Sequence, residues 1–89
     1  MTELVIDECL YSKKLHSSLQ KNLGLQVSYM GDGVSDNYIR NHVYNNGSLL
    51  ITADRQLCGS LGDRALYFET KAKLNEIIFI VKSWVGDLI

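Results

Sequence analysis

The chain has 89 residues, 46% of them hydrophobic, and a formal net charge of −1. That length allows one small domain over residues 1–89 with a thin core, which dimerisation would help to stabilise, and the near-zero charge excludes whole-surface attraction to nucleic acid. No run reaches the roughly 18 apolar residues of a membrane span, and the first apolar segment is too short for a signal peptide, so the expectation is a cytoplasmic protein that does not touch the membrane.

Leu4-Val5-Ile6 is a short unbroken apolar run, and Glu3 to Asp7 reads as a first strand buried on both faces. Ser12 can cap a following helix, Leu15, Leu19 and Leu23 recur at four-residue spacing, and Gly24 can end it. Leu25 to Met30 alternates and predicts a second strand, and Gly31-Asp32-Gly33 predicts a loop. Ser35-Asp36 opens a second helix with Ile39 and Val43 as its buried stripe, and Asn45-Asn46-Gly47 stops it.

Leu49 to Ala53 repeats the design of the first strand and ends at Asp54. Arg55 to Leu61 predicts a short helix and Ala65 to Phe68 a fourth strand. From Thr70 the chain predicts a last helix with Leu74, Ile77, Ile78, Val81, Trp84, Val85 and Leu88 on one face. Phe79 and Ile80 fall off that face, which points to extra core contact or to a homodimer through this C-terminal helix. The order β-α-β-α-β-α-β-α implies an α/β fold with a short, mainly parallel four-stranded sheet covered on both faces. Right-handed crossovers then place the first strand centrally, between the second and the third.

Asp7, Asp36 and Asp54 are the candidate chemistry. Two buried parallel strands that each end in acid put negative charge at the carboxyl edge of the sheet, where α/β folds open their crevice. A helix antiparallel to the strands begins at that same edge, so Asp36 can join the other two. Three carboxylates make a hard oxygen site suited to Mg²⁺ or Mn²⁺, with Glu8 as a further ligand or a solvent-facing acid. Such a metal activates water and neutralises a phosphodiester. Each acid also has a plainer explanation: Asp36 as a helix-start acid, Asp54 as an N-cap, Asp7 as a turn residue.

Arg55, Arg40, Lys13 and Lys14 are candidate contacts for a nucleic-acid backbone, or solvated surface charges. Tyr11 and Tyr38 are placed near the crevice, to stack on a base or to sit half-buried. His16 and His42 read as solvated, which leaves Ser12, Ser35 and Ser60 without a histidine partner for nucleophilic catalysis. Cys9 and Cys58 show no metal-like spacing and read as two free thiols, with a disulfide near the crevice as the alternative.

Leu4-Val5-Ile6-Asp7-Glu8, Ser35-Asp36-Asn37-Tyr38-Ile39 and Leu50-Ile51-Thr52-Ala53-Asp54-Arg55, in that order, resemble the PIN-like nuclease superfamily in its compact prokaryotic and archaeal single-domain branch. The resemblance covers roughly residues 3 to 68. It implies a three-layer α/β/α sandwich and metal-dependent endoribonuclease chemistry, with the metal site mapped onto Asp7, Asp36 and Asp54 and Glu8 as helper. It further implies RNA as substrate, dimers, and for toxin-like relatives an antitoxin protein as partner. Two departures accompany it. The chain is shorter than a full PIN domain, and the family's fourth acid has only Asp63 as a later candidate, which precedes its strand. The alternative is a catalytically inactive PIN-like module that acts through its apolar C-terminal helix.

Overall fold

The structure, a computed structural model, describes residues 2–88. Its elements are β1 (Glu3–Ile6), α1 (Lys13–Leu23), β2 (Gln26–Tyr29), α2 (Asp36–Asn46), β3 (Leu49–Thr52), α3 (Arg55–Leu61), a 3-10 turn (Gly62–Arg64), β4 (Ala65–Tyr67) and α4 (Leu74–Leu88). The four strands form one all-parallel sheet in the order β2-β1-β3-β4. The expected central position of the first strand is therefore observed.

Local chemistry sets the helix ends. The Ser12 hydroxyl accepts the Leu15 amide and starts α1, and the Ser35 hydroxyl accepts the Tyr38 amide and starts α2. Gly24 and Gly47 close these helices in the left-handed region, at φ 66° and 63°, where a side chain would be strained. α4 begins at Leu74 rather than at Thr70, because the chain first has to turn back from β4. The Ala72 amide bonds to the Glu69 carbonyl in that turn.

Alternation along the strands splits the core into two layers. Leu4 and Ile6 of β1 and Leu49 and Ile51 of β3 point to one face, where they meet Leu15 and Leu19 of α1 and Ile77, Val81 and Val85 of α4. Val5 and Leu50 point to the other, against Ile39 and Val43 of α2 and Leu57 and Leu61 of α3. Because both faces of β1 and β3 are covered, every residue of β3 is buried. The result is a three-layer α/β/α arrangement, and all four helices begin at the carboxyl edge of the sheet. Among the described residues no helix is long and apolar enough to cross a membrane.

Candidate functional site

The carboxyl edge is built around Asp7. The β1–β3 ladder extends one step past the strand, from the Asp7 amide to the Ile51 carbonyl at 3.0 Å. This buries the Asp7 side chain to 7% exposure. A carboxylate taken that far from water needs donors, and it has three. The Glu8 amide donates to Oδ1 at 2.9 Å. The Thr52 hydroxyl donates to Oδ2 at 2.6 Å, and the Cys9 thiol approaches the same oxygen at 3.2 Å.

Thr52 is fully buried at the end of β3 and links the two strand ends. Its hydroxyl oxygen also accepts the Asp54 amide at 3.0 Å. Asp54 then caps α3: its Oδ1 accepts the amides of Gln56 and Leu57 at 2.9 and 3.1 Å. The Ala53 amide donates to the Cys9 sulfur at 3.2 Å, which closes a small network over the β1 and β3 ends. Burial, together with the neighbouring Asp7 carboxylate, pushes the Cys9 thiol up from its ordinary value.

The remaining acids stand apart from this network. Glu8 is exposed, and its Oε2 accepts the Gly33 amide at 3.0 Å, tying the β1–α1 loop to the β2–α2 loop. Gly33 has φ 76°, so the tie uses a backbone shape that favours glycine. Asp36 is the exposed first residue of α2, placed favourably for the helix dipole. Asp63 lies exposed in the 3-10 turn before β4.

The test of the expected metal is the donor set. Among the described residues no group of three or more His, Cys, Asp or Glu side chains is placed to hold a metal ion. Asp36 and Glu8 do not complete such a group with Asp7 and Asp54. The Asp7 Oδ2 and the Asp54 Oδ1 each already take two donors. A three-carboxylate Mg²⁺ or Mn²⁺ pocket is not what these side chains form.

The basic candidates are dispersed. Arg55, on α3, lies over the Tyr67 ring at 4.9 Å. Arg40 donates to Ser60 at 2.9 Å and to Asn37, bridging α2 and α3. Lys13 and Lys14 are exposed in the first turn of α1. Tyr11 stacks on Tyr29 with ring centroids 3.7 Å apart, so one of its faces is already covered. Tyr38 is exposed on α2.

Two expectations need correction. His42 is not a free solvated histidine: its Nε2 lies 2.8 Å from Oε1 of Glu3. Cys58 is not joined to Cys9 in a disulfide. It packs beside the α2–α3 core, and both cysteines are free.

Glu3 itself anchors a second polar cluster at the opposite, amino edge of the sheet. Ser48 donates to Oε1 at 2.8 Å and Ser28 to Oε2 at 2.6 Å. The carboxylate thus joins β1, β2, α2 and the start of β3. Burial pushes the Glu3 pKa up, but the Ser28, His42 and Ser48 hydrogen bonds and the His42 charge outweigh it, and the net direction is down. Sequence reading passed over this cluster and over the bridging role of Thr52. A charged residue opening an apolar strand, and a lone hydroxyl closing another, were the available signals.

No family model matches this chain, and no curated protein or solved structure is significantly similar to it. The chain therefore stands on its own geometry, an α/β domain whose described residues form four helices and a four-stranded parallel sheet.

Proposed function

We propose that this chain is a non-catalytic interaction module on a PIN-like scaffold, binding through apolar side chains that α4 leaves outside the core. The supporting observation is the use to which the carboxylates are put. Asp7 holds the β1 and β3 ends together through Thr52, and Asp54 caps α3. Both acids have structural work that needs no cation. The unspent surface lies elsewhere: Phe79 is 75% exposed and Ile80 38% exposed on α4.

Calorimetric titration with Mn²⁺, thermal unfolding with and without Mn²⁺, and an RNA cleavage assay in Mg²⁺ test this reading together. The expected result is no binding heat, no rise in Tm and no cleavage, since an ion that bound the native state would stabilise it. Cleavage that EDTA stops and Asp7→Asn abolishes would overturn it.

The second reading is a metal-dependent endoribonuclease, possible here only with fewer protein ligands than expected. One observation favours it: Asp7 and Asp54 end neighbouring parallel strands and share Thr52, and the second Asp54 oxygen takes no donor among the described residues. Mg²⁺ is commonly held by one or two carboxylates plus water and substrate phosphate. In that case Asp7 and Asp54 would hold the ion, which supplies Lewis acidity and a more acidic water. Arg55, Arg40 and Lys13 would then be available to meet the RNA backbone.

A further inference from the structure

We propose that a second copy of this chain docks on the β4 edge and the flank of α4 beside it, forming a twofold dimer; the proposal rests on the interaction-module reading and names its partner. β4 is an outer strand, paired among the described residues only with β3. The Phe68 amide bonds to the Thr52 carbonyl. Backbone groups alternate sides along a parallel strand, so the amide and carbonyl of Tyr67 point away from β3 toward the open edge. An uncovered strand edge is a template for another chain.

Beside this edge runs a groove of about 360 Å³ with Tyr67, Phe68 and Ile80 on its apolar walls. Its rim carries two acids, Glu69 and Glu76, and two bases, Lys71 and Lys73. That balance identifies the occupant. A strongly acidic or basic partner would meet like charges as well as opposite ones. A second copy related by a twofold axis sets the bases of one rim against the acids of the other, as an isologous interface requires. A twofold at Tyr67 also makes β4 antiparallel to its mate. The two Tyr67 residues then exchange both backbone hydrogen bonds, and the sheet becomes continuous across the dimer.

Sedimentation equilibrium of the full chain over a concentration series tests the proposal, with circular dichroism confirming that each variant is folded. A dimer is expected. Ile80→Glu puts a charge on the apolar wall of the groove in each copy and weakens the dimer by more than roughly tenfold. Asn41→Glu, exposed on α2 at the opposite face of the sheet, leaves it intact. Lys73→Glu weakens the dimer, and Lys73→Glu with Glu76→Lys restores it. Hydrogen exchange of the Tyr67 amide slows as concentration rises through the dissociation constant.

A monomer at every concentration up to about 1 mM, a dimer that survives Ile80→Glu, or a Tyr67 amide whose exchange ignores concentration overturns the proposal. Molecular mass reports nothing about metal binding or cleavage. Failure here is therefore separable from failure of the interaction-module reading, which those two measurements decide.

Discussion

The Thr52 hydroxyl donates to the Asp7 carboxylate at 2.6 Å, joining residues 45 positions apart at the ends of two adjacent strands. The same oxygen accepts the Asp54 amide, so one side chain holds both acids that close the apolar runs. Thr52→Val keeps the shape and removes the hydroxyl. It leaves the buried Asp7 short of a donor and should cost about 1.5–3 kcal/mol, the range for a hydrogen bond to a charged group. Thr52→Ser should cost less. Urea unfolding of the three proteins checks this. A Val variant as stable as the parent would show that the bond contributes nothing.

Asp54 gives a sharper separation of the two functional readings. As an N-cap, its replacement by Ala should cost about 1 kcal/mol, while Asn, which caps as well, should cost little. As a metal ligand, Asp54→Asn should abolish cleavage and leave stability unchanged. Unfolding and RNA cleavage measured on the same two variants distinguish the roles, and the interaction-module reading expects only the first pattern.

The Glu3 cluster makes stability depend on acid. The folded-state pKa of Glu3 lies below its ordinary value of 4.5. A group with a depressed folded pKa contributes its stabilisation above the unfolded value and loses it as pH falls through the folded one. The contribution should thus be whole above pH 4.5 and fade below it. Glu3→Gln should flatten the fall of unfolding free energy between about pH 5 and pH 3. An identical pH slope in parent and variant would exclude the linkage.

Cys9 is exposed as a residue, but its thiol packs against the Asp7 carboxylate, the Thr52 hydroxyl and the Ala53 amide. The thiolate is the reactive form, and both burial and the Asp7 charge oppose it. The rate of Cys9 alkylation by iodoacetamide, followed by mass spectrometry, should still be rising with pH past the ordinary thiol value of 9.0 instead of levelling off there. Asp7→Asn removes the opposing charge and should speed the reaction at pH near 8. No change in rate would mean that Asp7 does not act on the thiol.

Pattern alone determined most of the scaffold. Leu4-Val5-Ile6 and Leu49-Leu50-Ile51 are apolar at every position because strands buried on both faces have no solvent side to mark with polar residues. Ser12, Ser35, Gly24 and Gly47 marked helix ends because capping acts within a few residues of chain. The alternation of elements and the handedness of crossovers then allowed few strand orders, and the observed one was among them.

Only the tertiary structure decided what the acids do. Asp7, Asp36 and Asp54 are the same residue type, each following or opening an element, and spacing cannot say which oxygens already have donors. The Thr52 hydroxyl reaches Asp7, and the Ala53 amide reaches the Cys9 thiol beside it, only once β1 and β3 lie side by side. His42 read as a solvated helix residue because Glu3, its partner, is 39 positions away. Periodicity and caps are set by neighbours along the chain, whereas the occupancy of a carboxylate is set by neighbours across it, and those exist only after folding.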